Sequence, residues 1–199
     1  MVIARISRPA LAAAFSVLLA LSCQAFAQVA SPRNTVETTV NAILNILRTE
    51  NAAETATKDR IRAEIGKAFD PRAMAQSVLS TNWRSASKEQ QDEFQALFMQ
   101  TLENTYMGRL EAYTNETVEI RTESVDNNRA EVTTAIITSS GEIPINYKLR
   151  LRDDGWFVYD VEVENVSMVS SYRETYRSVV RRDGMDGLLA QMREKATQG

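Results

Sequence analysis

Apolar residues recur along this chain with two periods, and the change of period divides it. Val36, Val40, Ile43, Leu44 and Leu47 fall at helical spacing after a polar start from Gln28 to Arg33. Asn51 to Thr57 is polar and alanine-rich, and reads as a linker. Lys58 to Phe69 then predicts a second helix, with Ile61, Ile65 and Phe69 in one i, i+4 row. Asp70-Pro71 is a helix start signal, and a short helix over Pro71 to Leu79 carries Met74, Val78 and Leu79. Ser87 with Gln90 fits a capping box. From there Phe94, Phe98, Leu102, Tyr106 and Leu110 form one continuous row, widened by Leu97 and Tyr113. A helix from Lys88 to Tyr113 would be roughly 39 Å long. That row is either a plain core stripe or the wall of a ligand site.

From Glu116 the period becomes two. Val118, Ile120 and Thr122 alternate with acids and Arg121, and Arg129 to Thr138 carries β-branched residues in both phases. Ile143, Ile145, Tyr147, Leu149 and Leu151 alternate strictly with Pro144, Asn146, Lys148 and Arg150. Phe157, Tyr159, Val161 and Val163 are expected on one face of the next strand, with Trp156, Val158 and Asp160 on the other. Turn chemistry separates the runs at Asp126-Asn127-Asn128, Ser139-Ser140-Gly141 and Asp154-Gly155. Connections this short require antiparallel neighbours, so a four-stranded meander is expected. Pro144 suits a strand start or an unpaired edge position. A bend at Glu164 to Ser167 hands the chain to a helical pair broken at Gly184. The fold class is therefore α+β.

The first 27 residues read as an export signal. Arg5 and Arg8 precede an apolar run from Leu11 to Leu21, and Ala25-Phe26-Ala27 offers a cleavage site before Gln28. Lipidation at Cys23 is the rival use of this segment, but Ala20 fits poorly at its −3 position. Residues 28–199 are enough for one domain with a sizeable core. Arg5 and Arg8 leave with the signal and no acid does, so the formal net charge moves from −3 to −5. An acidic balance argues against a nucleic-acid partner. The lone cysteine also leaves, which excludes disulfides.

The chain has no histidine. A Ser-His-Asp or Cys-His site cannot be built, nor a His-ligated metal centre. Gly-rich phosphate loops are absent as well. Asp160, Glu162 and Glu164 lie two apart, and Tyr159 stands beside Asp160. Such groups can do acid/base work, or they can be the solvated face of a strand with a satisfied tyrosine. Arg173, Arg177 and Arg181 form an i, i+4, i+8 stripe. Guanidinium pairs well with phosphate or an acidic surface, while the bland account is an ion-pair-laced solvent face. Met74, Met99, Met107, Met168, Met185 and Met192 suit irregular or refillable cavities, though methionine also fills ordinary cores.

Two dense regions carry a resemblance that spans nearly all of residues 28–199. One is Trp83-Arg84, Ser87, Glu89-Gln90, Phe94, Phe98, Leu102 and Tyr106. The other runs from Trp156 through Tyr159-Asp160-Val161, Val166-Ser167 and Tyr172-Arg173 to Gly184 and Gly187-Leu188. In order and spacing these resemble the MlaC family, also called the toluene-tolerance family, whose members are periplasmic phospholipid carriers. Two positions depart from its pattern. Asn165 stands where a Gly usually precedes Val-Ser, and Ser80 where a Gly is common after Leu79.

The resemblance implies an NTF2-like cone, with N-terminal and C-terminal helices and the sheet enclosing an apolar pocket, large by the standard of ordinary ligand sites. It implies a periplasmic carrier that passes phospholipid between an outer-membrane complex, MlaA with a porin, and MlaD of the inner-membrane MlaFEDB transporter. Outer-membrane lipid asymmetry would depend on that traffic. The family supplies no catalytic motif to carry over and no cofactor, so a binding protein is expected. Acyl chains are expected against Met74, Val78, Phe98, Leu102, Ile145, Tyr147, Leu149, Val166, Met168 and Val169, and Arg173 against a headgroup or a partner. The Phe94–Tyr106 row is expected to meet the sheet face bearing Ile145, Tyr147 and Leu149. Two alternatives remain: a carrier of another lipid such as a hopanoid, and a small enzyme with a carboxylate-Tyr site.

Overall fold

Local signals start most of the helices. The structure, a computed structural model, describes residues 30–114 and 116–198, so the expected export signal lies outside the described residues. Helix α1 (Pro32–Thr49) has proline in its first turn, and the Asn34 N–H donates to the capping Ser31 Oγ at 3.1 Å. Helix α2 (Thr55–Ala68) begins three residues before the expected Lys58. It stops at Ala68 because Phe69 is extended and bridges in parallel to Val158. Asp70 caps α3 (Pro71–Leu79), taking the Ala73 N–H at 2.8 Å. A short helix α4 (Thr81–Ser85) follows, which the sequence pattern does not announce. Helix α5 (Lys88–Glu111) opens on the reciprocal Ser87–Gln90 capping box. It ends two residues before Tyr113, whose hydroxyl accepts from Arg48 and donates to the Glu116 carbonyl, each at 3.1 Å.

Strands β1 (Thr117–Asp126), β2 (Arg129–Thr138), β3 (Gly141–Arg152) and β4 (Gly155–Val163) form the expected antiparallel meander. A fifth strand, β5 (Val166–Ser167), adds to its edge. The meander gains it because Glu164 and Asn165 both adopt positive φ, 51° and 65°, and turn the chain straight back on β4. Asn165 thus holds the left-handed bend that a glycine would otherwise occupy. Pro144 lies just past the end of β4's pairing, where its carbonyl accepts the Glu164 N–H at 3.0 Å.

The expected alternation along β4 is corrected by a bulge. Lys148 faces Asp160 and Leu149 faces Val158, leaving Tyr159 unmatched. The extra residue flips the phase. Trp156 and Val158 therefore share the apolar face with Val161 and Val163, opposite Leu151, Leu149, Tyr147 and Ile145. Phe157 turns to the polar face, where the Arg152 guanidinium lies 4.8 Å from its ring centre.

Helix α6 (Met168–Gln198) closes the chain, with its expected break at Gly184 (φ 71°, ψ −177°). Two cores result. In one, Val36 of α1 lies among Ala130, Val132, Ile145, Leu149, Val158 and Val161. In the other, α3, α5 and α6 bury Met74, Val78, Phe94, Phe98, Leu102, Val169 and Leu188 together. The expected docking of the α5 row on the sheet is therefore overturned. Phe94 and Phe98 stack at 5.8 Å and meet Tyr176 and Tyr172 of α6 edge-on at 5.7 and 5.3 Å. Quadrupole complementarity between edge and face favours that arrangement, while α1 covers the sheet.

Candidate functional site: an apolar seam and two arginine-lined clefts

The β4–β5–α6 corner brings the two cores together. Asp160, 5 % exposed, accepts from the Ser167 hydroxyl at 2.6 Å and from the Val169 N–H at 3.1 Å. The Ser170 N–H donates in turn to Ser167 Oγ at 3.0 Å. A buried carboxylate thus fastens the start of α6 to the sheet. That anchor holds Met168 where it touches both cores, a position shared by Phe69 between α2 and α3. The two residues mark an apolar seam between sheet and helices.

The sheet side of the seam is incompletely covered. Around its buried centre, Val40, Ile120, Ile136, Ile143, Tyr147 and Val163 are only part-buried. On the helical side Leu97, Met99, Tyr106, Tyr172 and Met185 are part-buried too. Burial pushes the Tyr147 phenol above its usual value, and the Tyr176 phenol is pushed up to about 12 for the same reason. Neither of these two phenols therefore carries charge at neutral pH.

Ten wall residues expected from the sequence divide across these cores. Met74, Val78, Phe98, Leu102 and Val169 belong to the helical core, and Ile145, Tyr147 and Leu149 to the sheet side. Met168 belongs to both. Val166 is the exception, at 60 % exposure. It pairs with Val163 on the apolar face, but at the outermost strand, beyond the cover of the helices. Sequence reasoning missed Phe69 and Val40; the bridge from Phe69 to Val158 is a long-range pairing with no local signal.

The remaining candidate groups are engaged elsewhere. Glu162 pairs with Lys148 and accepts from Asn146 at 3.1 Å, and its carboxyl is held below the usual range chiefly by that lysine. The Tyr159 hydroxyl accepts from Arg129 at 3.0 Å. With Asp160 spent on the α6 cap, the proposed carboxylate-Tyr group is dispersed rather than gathered. Arg173 donates from Nε to the Ser77 carbonyl at 2.8 Å, pinning α6 to α3.

Arginines line two of the clefts that the described residues form at the surface. One, of about 280 Å³, lies among Ser77, Asn128, Arg129, Arg150, Arg152 and Tyr159. Asp70 sits beside it, 2 % exposed, accepting from Arg150 at 2.7 Å and Arg152 at 3.1 Å. Burial pushes its carboxyl up, but the Ala73 N–H and the two guanidiniums outweigh that and hold it below the usual range. The other, of about 450 Å³, is lined by Leu79, Ser80, Thr81, Asn82, Arg173, Arg177, Val180 and Arg181. No helix among the described residues is long and apolar enough to cross a membrane.

Comparison with known proteins agrees with this architecture. A solved Ralstonia solanacearum protein, a phospholipid-binding protein in complex with a phospholipid, superposes with a TM-score of 0.80. It is 23 % identical, and the match covers 85 % of this chain and 98 % of that one, so it shows the fold. The intermembrane phospholipid transport system binding protein MlaC of Haemophilus influenzae is 29 % identical over 127 residues. That match covers 61 % of this chain and 59 % of the relative's length. The toluene tolerance protein ttg2D of Pseudomonas putida is 24 % identical over 163 residues, covering 78 % of this chain and 76 % of that one. The model of the MlaC protein family matches residues 37–194, from α1 through both halves of α6, and the chain belongs to that family.

Proposed function

We propose that this protein is a periplasmic phospholipid carrier that holds acyl tails in the seam between sheet and helices. The observation that carries this reading is the half-covered apolar sheet face running into the helical core at Met168 and Phe69. Two tails of about 30 methylenes together would cost ~24 kcal/mol to expose to water. A lipid therefore crosses an aqueous compartment only inside an apolar protein surface of this kind. Tails carry nearly all of that free energy, so the headgroup lies outside, with Arg173, held by the Ser77 carbonyl, as its contact.

In the cell its exchange partners are the complexes implied by the family: MlaA with a porin at the outer membrane, and MlaD of the MlaFEDB transporter at the inner one. The transporter supplies the energy, so the carrier itself needs no nucleotide site. Maintenance of outer-membrane lipid asymmetry follows from that traffic.

Mass spectrometry of lipids extracted from the purified protein tests the reading. The wild type should yield phospholipids with mixed headgroups. Met168→Glu should be folded and depleted of them, since a carboxylate at the seam meets tails with no partner. A hopanoid in place of phospholipid would reassign the cargo, and a protein free of lipid in both forms would refute the carrier.

A further inference from the structure

The arginine stripe on α6 finds no carboxylate partner among the described residues. Arg173 is held through Nε by the Ser77 carbonyl at 2.8 Å. Arg177 and Arg181 are exposed and make no ion pair among the described residues. Their acidic neighbours are otherwise disposed. Asp183 pairs with Arg182 at 2.7 Å, Asp186 accepts from Gln90 at 2.7 Å, and exposed Glu174 pairs with none of the three. Three uncompensated guanidiniums side by side repel one another, so their alignment favours an anionic occupant. The chain as a whole is acidic, at −3 formally, which makes this concentration of positive charge a local feature.

Shape narrows the occupant. From Arg173 to Arg181 the stripe runs about 12 Å along the helix, with about 6 Å between successive arginines. One phosphate or one carboxylate cannot span that distance. Acids two apart on an extended strand repeat every ~6.7 Å, and acids four apart on a helix every ~6 Å, so either matches the stripe. The stripe also lies in a concave cleft of about 450 Å³ rather than on an open face. A protruding peptide segment matches such a concave surface better than a flat bilayer does. Leu79 and Val180 give its lining an apolar part, and Ser80, Thr81 and Asn82 contribute hydroxyls and an amide.

We infer that the cleft between α4 and α6 is a docking site for an acidic segment of a partner protein, with Arg177 and Arg181 as its main contacts. A carrier hands its cargo to other proteins, and in that respect the site rests on the function proposed above. Its lining shares no residue with the walls assigned to acyl tails, and Arg173, at the rim between them, is the one residue placed at both cleft and headgroup.

The test measures binding of a short labelled peptide of alternating Glu and Ala, at low ionic strength, by fluorescence anisotropy. The peptide should bind the wild type, and the same peptide with Gln for Glu should not. Arg177→Gln with Arg181→Gln should weaken binding about tenfold, as expected for loss of two charge-assisted contacts. Arg129→Gln, in the other cleft, should leave it within about twofold. An equal loss in Arg129→Gln would mean diffuse attraction to any basic surface and would overturn the site. So would full competition by inorganic phosphate at millimolar level, the mark of a single-anion site. Tighter binding to phosphatidylglycerol vesicles than to the peptide would replace the protein partner with a membrane. Lipid content is read in parallel: an unloaded wild type would count against the carrier while leaving the docking result intact. Depletion confined to the double variant, with peptide binding retained, would reassign the stripe to the headgroup.

Discussion

Two single residues concentrate the stress of this fold. Asp70 is the buried acid that caps α3 and takes both Arg150 and Arg152. Its folded pKa is depressed, so its contribution is fully present above the unfolded value near ~3.9 and is lost as pH falls through the folded value. Asp70→Asn should cost about 1–2 kcal/mol at neutral pH. The loss is that of the charge-assisted bonds, discounted because both arginines are half-exposed, since an asparagine oxygen still takes the Ala73 N–H and keeps the cap. The difference from wild type should shrink below pH ~4 in denaturant titrations, and an unchanged difference there would contradict this role. Ser80 lies at φ 53°, ψ −120°, a region that penalises any Cβ. Ser80→Gly should therefore stabilise by about 1 kcal/mol, read as a raised midpoint in urea. The sequence marked both positions, Asp70 as a cap before proline and Ser80 as a place where relatives of this type favour glycine. Neither partner arginine of Asp70 was legible, since they arrive from β3, some eighty residues away.

At the scale of elements, periodicity read the types correctly and their mutual packing less well. The α3 bounds, the capping box of α5, the meander and the break at Gly184 all follow from local chemistry. The phase of β4 did not, because the bulge at Tyr159 is set by pairing with β3 rather than by β4's own residues. The partner of α5 was misread for a related reason. An amphipathic row states that it is buried but not against what, and α1 and α6 compete for the same sheet. Phe98, fully buried between Tyr172 and Phe94, should cost about 3–5 kcal/mol on truncation to alanine. A loss under ~1 kcal/mol in chemical denaturation would mean that the aromatic ladder is not the helical core. Gly184 has open space where a Cβ would go, so the cost of Gly184→Ala is purely conformational. Its φ and ψ lie in the region restricted to glycine rather than in the left-handed helix region. A loss of about 1–3 kcal/mol is expected, and Gly184→Asn should fare no better.

As proposed above, the molecule divides labour between an apolar seam and a basic surface cleft. Family membership accounts for the fold, and the proposed seam is how a chain without histidine or a Gly-rich phosphate loop would hold its ligand. Nine of the ten tail-contact residues expected from the sequence reach one of the two cores, because apolar side chains on periodic elements are buried by the same physics that forms the elements. Val166 does not, since edge position is a property of the sheet and not of the residue. The most direct measurement is photo-cross-linking with a phospholipid that carries a diazirine at the tail end, followed by peptide mapping. Adducts should concentrate on Met168, Phe69, Tyr147 and the neighbouring seam residues of α3 and α5. Adducts confined to the arginine-lined clefts, or scattered over the polar face of the sheet, would contradict tail binding in the seam.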